Sequence, residues 1–400
     1  MARTNLDVLV SRETIAQAVE QVAQSRSNLL PQITFDAAQR RNLSASVGST
    51  LVRSGINNRF DSTLNGRLDL LNPSDVASYK AAKIAVTVAE MGEAGVRQSI
   101  MATVAATFFA HLRNIERITV LDDNISRAQS LLELARNQLN AGVATQIDQT
   151  RAESQLAIAE QARLQQDTVV QGSELQLKQL LALDMDQPLQ LTPFAVRRTA
   201  PGTFTSSETQ VVYERRPDMK SARTLLEQNS LEVRAARYNR LPSLALIGSY
   251  GYATEHAFDG NEAKTWSGSL ALSLPVFDGA RTRSLTGFAL SRYRAQEMRV
   301  RNLENKISAE LRLARQDASS RLAQITVAEK SFALAREELE LAQKRFAQGV
   351  ADNREIIEAQ GRLSTASDNL VEAVYLYNLS RVELARVRGD VRTIVVEDNA

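Results

Sequence analysis

Leu132–Leu156 reads LELARNQLNAGVATQIDQTRAESQL, and Leu339–Leu363 reads LELAQKRFAQGVADNREIIEAQGRL, 207 residues further on. Both stretches contain Leu-Glu-Leu-Ala followed by Gly-Val-Ala: Gly142, Val143 and Ala144 in the first, Gly349, Val350 and Ala351 in the second. Upstream of each glycine, apolar or small residues recur at alternating steps of three and four. In the first copy these are Ile118, Leu121, Ile125, Ala128, Leu132, Ala135 and Leu139; in the second, Ile325, Ala328, Phe332, Ala335, Leu339, Ala342 and Phe346. This is a heptad seam, held in one register in both copies. Glycine accepts the left-handed backbone that ends a helix, and Thr145 or Asp352 three residues later can cap a new one. Each stretch therefore predicts a long helix, a sharp reversal and a second long helix, forming an antiparallel coiled hairpin.

The duplication extends outward from these hairpins. Asp7 to Leu30 is helical by pattern and is stopped by Pro31, and its counterpart ends at Leu241-Pro242. After each proline the period changes to two. Ile33, Phe35 and Ala37 alternate with Thr34, Asp36 and Ala38, and Leu244, Leu246, Gly248, Tyr250 and Tyr252 alternate with Ala245, Ile247, Ser249 and Gly251. Polar loops lead to second alternating segments through Leu64, Gly66, Leu68 and Leu70, and through Trp266, Gly268, Leu270 and Leu272. Pro73 and Pro275 close them. Four strands of about ten residues, apolar on one face, have the length and pattern of bilayer-crossing strands. Trp266, Tyr250 and Tyr252 lie where an interfacial aromatic girdle sits.

Helical pattern resumes at Ser74 and continues to Asn140, lightly broken near Gly92 to Gly95, and returns from Thr145 to Leu183. Some sixty residues of helix span roughly 90 to 100 Å. The resulting plan is mostly α with a small β part. Repeat one covers 1–185, with a strand pair at 31–72 and a tip at 142–145. A connector covers 186–215. Repeat two covers 216–389, with a strand pair at 242–275 and a tip at 349–352, and a tail covers 390–400. Repeat two has helical sequence ahead of its first helix and repeat one has none, which suggests that residues are missing from the amino end.

Composition narrows the functional classes. With 48 basic and 46 acidic residues the chain is nearly neutral, which argues against nucleic acid as a partner. There is no cysteine, so no disulfide, thiolate metal site or cysteine nucleophile can form. No apolar run is long enough for a membrane-spanning helix, and no signal peptide is present in this form. His111 and His256 share no ligand-like spacing with carboxylates, and no phosphate-cradling glycine loop occurs, so the sequence points to no enzyme, metal or cofactor. His111, on an apolar stretch, reads as structural.

The ordered double set of helix, Leu-Pro, strand pair, Pro, long helix, glycine turn and long helix resembles the TolC-like outer-membrane efflux and secretion channel family. It is carried by Asn5 to Leu9, Leu30-Pro31, Leu68 to Pro73, Gly142, Arg216-Pro217-Asp218, Leu241-Pro242, Leu270 to Pro275 with Phe277-Asp278-Gly279, and Gly349. The resemblance implies a homotrimer in the outer membrane, with a 12-stranded β-barrel in lipid and a 12-helix α-barrel in the periplasm. It also implies docking at Gly142, Val143, Ala144, Gly349, Val350 and Ala351 on a periplasmic adaptor and, through it, an inner-membrane pump. The family's acidic rings match Glu355 and Glu358, whose spacing places them on one helical face. Asp148 matches a further gate carboxylate. Its usual tyrosine partner is Phe346 here, and an arginine near the second tip is Ala351, so a hydroxyl–carboxylate latch of the family kind cannot form. A periplasmic adaptor and a soluble coiled-coil scaffold are the rival readings; one hairpin with glycine-rich β domains would mark the first, and strand pairs without a use would mark the second.

Overall fold

The computed structural model describes residues 5–47, 52–189, 191, 206–257, 260, 262–348 and 353–394. Among the described residues eleven elements follow one another: α1 (Leu6–Ser27), β1 (Gln32–Val47), β2 (Val52–Leu71), α2 (Pro73–Asn140), α3 (Gln146–Leu181), α4 (Ser206–Arg215), α5 (Pro217–Tyr238), β3 (Ser243–Thr254), β4 (Ala263–Ser273), α6 (Arg281–Ala347) and α7 (Asn353–Arg388). The order helix, two strands, two long helices thus occurs twice. The chain forms two compact units, each drawing on both copies: Arg12–Met91 with Ser221–Asn302, and Met1–Ser11 with Gly92–Lys220 and Leu303–Ala400.

The first of these units holds the sheet. All four strands join in one antiparallel sheet of order β1-β2-β3-β4, so the two strand pairs are fused through β2 and β3. β3 and β4 have 12 and 11 residues, close to expectation, but β1 and β2 have 16 and 20. Those longer strands correct the sequence reading, which placed a polar loop there. Their outer halves pair Arg40 with Arg59 and Asn42 with Asn57, and such polar residues carry no hydrophobic alternation although their backbone ladders are complete.

The other unit holds the helical hairpins. The first reversal is a Schellman turn: Val143 N–H donates to the Gln138 carbonyl at 3.0 Å and Gly142 N–H to Leu139 at 3.0 Å, with Gly142 at φ 74°. The four helices lie in the order α3, α2, α7, α6. Arg163 and Gln166 of α3 reach Asp122 and the Asn114 carbonyl of α2; Arg113 and Arg117 of α2 pair with Glu372 and Asp368 of α7; Arg362 of α7 pairs with Glu338 of α6. Seam residues from both copies share one core, in which Leu132, Ala135, Leu339, Ala342 and Phe346 meet Ala152, Ile356, Ala359 and Leu363. Ala152 and Ala359 are fully buried. Small residues at these points let the helices approach closely, as knobs-into-holes packing requires.

The expected break near Gly92 does not occur, since α2 runs uninterrupted through Gly92 and Gly95. A helical glycine costs only about 1 kcal/mol. Glu93 and Arg97 bridge this stretch by an ion pair one turn apart, and a Cβ at Gly95 would meet only the Pro217 Cβ at 4.0 Å, an ordinary contact.

Candidate functional site

The sheet presents two chemically different faces. Residues paired directly across strands share a face. The rows Phe35, Leu64, Tyr250, Trp266 and Leu68, Leu246, Leu270 therefore form one apolar surface. It is bare: Phe35 is 68% and Trp266 79% exposed. Tyr250 and Tyr252 stack edge to face, with ring centroids 6.2 Å apart, beside Trp266. An uncovered apolar surface of this extent, banded by Trp and Tyr at one end, belongs in lipid.

The opposite face is polar. One row carries Thr34, Asn65, Ser249 and Ser267, with the two serine hydroxyls 2.8 Å apart. The others hold a charge-balanced ladder: Arg59 pairs with Asp61 at 2.7 Å, Arg67 with Asp69 at 3.0 Å, and Asn65 donates to Asp36 at 2.7 Å. Such a surface suits a water-filled lumen.

At the hairpin end, the expected carboxylates lie on two different turns. Glu355 accepts from Arg345 Nη1 at 2.6 Å, which ties the first turn of α7 to the last turn of α6. Glu358 accepts from Arg354 at 3.0 Å, and Arg362 turns away to Glu338. Asp148 accepts from the Thr145 backbone N–H at 3.0 Å and from its hydroxyl at 2.6 Å, capping the first turn of α3. Those bonds, with Arg151 adding a smaller electrostatic pull, hold the Asp148 carboxyl below its usual range despite slight burial. Phe346 is buried in the shared core next to Ile356, so its ring packs instead of forming a polar latch. Gly142 and Val143 are exposed and Ala144 half-buried at the first tip. Gly349, Val350 and Ala351, with Asp352, lie outside the described residues.

The sequence reading missed Arg345 and Thr145 as partners of these carboxylates. Arg345 sits one place before the seam residue Phe346, a position that a coiled hairpin turns toward its return helix, and this is the signal that could have found it. His111 is buried between α2 and α3, with Nδ1 2.7 Å from the Ser173 hydroxyl. Burial lowers its pKa against a smaller opposing pull from Glu174, so it is a packed interhelical residue. No cluster of metal-ligating side chains occurs among the described residues.

The sequence profile of the family described as Outer membrane efflux protein matches residues 2–183 and 209–390. The chain belongs to the outer membrane efflux protein family. Its place is the cell outer membrane, with the helices extending into the periplasm, and the family is one of passive channels for efflux and secretion. Outer membrane protein TolC of Vibrio cholerae is 25% identical over 388 residues, covering 93% of this chain and 85% of the relative. Outer membrane protein OprJ of Pseudomonas aeruginosa is 27% identical over 347 residues, covering 82% of this chain and 68% of the relative. The crystal structure of the outer membrane protein VceC from Vibrio cholerae superposes with a TM-score of 0.82 at 18% identity, covering 97% of this chain and 94% of that one. The bare apolar face of the sheet is thus the lipid-facing side of an outer membrane efflux protein, and the Arg/Asp ladder its inner side.

Proposed function

We propose that three copies of this chain close into one exit conduit, and that the conduit serves a periplasmic adaptor and an inner-membrane pump as their passive outlet. The supporting observation is the sheet itself: four strands with bilayer character end in β1 and β4, each with one edge open to a further strand. Lipid cannot satisfy the backbone donors and acceptors of such edges, so neighbouring copies must. Twelve strands meet the requirement that four cannot. The helical tips would be the docking points, Gly142, Val143 and Ala144 on one hairpin and Gly349, Val350 and Ala351 on the other. Val143 is 76% exposed, which suits a partner's apolar contact. Glu355 and Glu358, repeated about a threefold axis, would form acidic rings at the narrow end, with Asp148 on the neighbouring hairpin.

The test is mass and conductance together. Detergent-extracted protein should have three times the chain mass and give discrete single-channel steps in a planar bilayer. A stable, detergent-free monomer without conductance overturns the reading and returns a soluble scaffold to contention. For docking, Val143→Asp should abolish adaptor pull-down while leaving single-channel conductance unchanged.

A further inference from the structure

The strand charges are sorted by face. Asp36, Asp61 and Asp69 all lie on the inner face, where Arg40, Arg59 and Arg67 accompany them. The lipid-facing positions of the four strands carry no carboxylate and two cations, Arg41 on β1 and Lys264 on β4. Both are exposed, and among the described residues neither has an ion-pair partner. Both lie toward one end of the sheet: the register sets Lys264 level with Ala37 of β1, and Arg41 is four residues further along that strand. The strand ends at Gln32, Leu71, Ser243 and Ser273 adjoin the helices, so the β1–β2 and β3–β4 turns mark the far, outward end. Lys264 pairs with Tyr252 one rung beyond Trp266, and Arg41 lies beyond Phe35, past the aromatic girdle on the turn side.

Two cations on a lipid-facing surface, one at the outer edge of an aromatic band and one beyond it, face the headgroup layer, where they attract anionic headgroups and the bilayer core would reject them. Circular order then sets their two strands side by side. With three sheets of order β1-β2-β3-β4 closed into a ring, β4 of one copy lies antiparallel beside β1 of the next. We infer that Lys264 of one protomer and Arg41 of its neighbour form a seam site for the phosphorylated headgroup of an outer-leaflet lipid, repeated three times around the barrel. This rests on the trimeric reading above. A bis-phosphorylated headgroup offers one phosphate to the guanidinium and another to the ammonium across that offset, which a zwitterionic headgroup with its own cation does less well.

The experiment is native mass spectrometry of the detergent-extracted trimer with added bis-phosphorylated lipid A, its dephosphorylated form, or phosphatidylethanolamine. Up to three lipid A molecules should be retained, with about tenfold preference over the dephosphorylated form. Arg41→Gln with Lys264→Gln should abolish that preference, whereas Arg41→Lys with Lys264→Arg should keep most of it. Both conservative and neutral variants are read as trimers, so loss of folding cannot mimic loss of binding. A conducting trimer that holds both lipid forms equally, or a double glutamine variant that keeps the preference, overturns the seam site and leaves the channel reading standing. Failure of the unmodified chain to form a trimer overturns both.

Discussion

Gly251 of β3 faces Thr63 of β2 so closely that a Cβ added to it would lie 2.7 Å from the Thr63 Cα and would overlap the Ser62 carbonyl oxygen. The obstructing atoms are backbone, so no rotamer change relieves them. This is the point where the strand pairs of the two copies fuse into one sheet. Gly248, three residues earlier, would meet only the Ser267 carbonyl at 3.7 Å, an ordinary contact.

Gly251→Ala should therefore cost about 3 kcal/mol or more by forcing β2 and β3 apart, whereas Gly248→Ala should be nearly silent. The measurement is the fraction of heat-modifiable oligomer on a gel after extraction. Equal oligomer yield from the two variants would show that the β2–β3 join is looser than the close approach implies.

A second prediction concerns the junction of α4 and α5. Arg216 is buried and donates two bonds to Asp218, at 3.0 and 2.7 Å, and one to Glu310 at 2.9 Å. Its side chain is 8% exposed, but Asp218 and Glu310 keep 44% and 24% of theirs, so solvent screens part of the interaction. Arg216→Ala should cost roughly 2 to 3 kcal/mol, less than the loss of a fully buried pair. Burial pushes the Asp218 carboxyl upward, and the Arg216 bonds and charge outweigh it, leaving a lowered pKa. A lowered carboxylate stabilises the fold above its unfolded value of about 3.9, and that contribution disappears as pH falls through the folded value. Thermal melts of the unmodified chain and of Asp218→Asn should differ at pH 7 and begin to converge only as pH falls below about 4. A constant offset down to acid pH would mean that Asp218 contributes through packing alone.

Much of the hairpin architecture is legible from the sequence because the seam residues repeat with one register and glycine marks the first reversal. Ala135, Leu339 and Phe346, read as seam positions, are buried in the shared core. The outer halves of β1 and β2 were not legible, because Arg40, Arg41 and Asn42 satisfy their strand bonds through backbone alone. Ion pairs between elements were equally hidden, since nothing local in Arg113 or Arg117 specifies partners on α7 more than 250 residues away. The gate carboxylates came from family resemblance, while their arginine partners depend on how two helices face each other.

Phe346 gives a third prediction from that seam. Its ring fills the core where α6 meets α7, near Ile356 and Ala359. Phe346→Ala should lower stability by about 3 to 5 kcal/mol through the cavity it leaves. Phe346→Tyr adds a hydroxyl to a mostly apolar site, and Asp148 is already engaged by Thr145, so it should destabilise mildly and form no latch. Urea or thermal unfolding followed by helical circular dichroism reads both. A tyrosine variant more stable than the unmodified chain would show that the hydroxyl had found a partner after all.

The last prediction joins the hairpin end to ion flow. Glu355 is tied to Arg345 at 2.6 Å and Glu358 to Arg354 at 3.0 Å, so each carboxylate carries a local countercharge that dilutes its field. Glu355→Gln with Glu358→Gln would remove six negative charges from a trimer and leave six arginines facing the mouth. Cation preference, read as the reversal potential across a salt gradient, should fall severalfold or reverse. Arg345→Gln acts in the opposite sense, removing one countercharge from Glu355 and loosening the tie between α6 and α7, so it should raise both cation preference and open probability. Both variants break the Arg345–Glu355 tie and should alter gating alike, so the opposite directions of their reversal-potential shifts separate charge from mechanical restraint. If neither shifts the reversal potential, the narrowest part of the conduit lies elsewhere, and the Arg/Asp ladder on the inner face of the sheet becomes the next set of residues to neutralise.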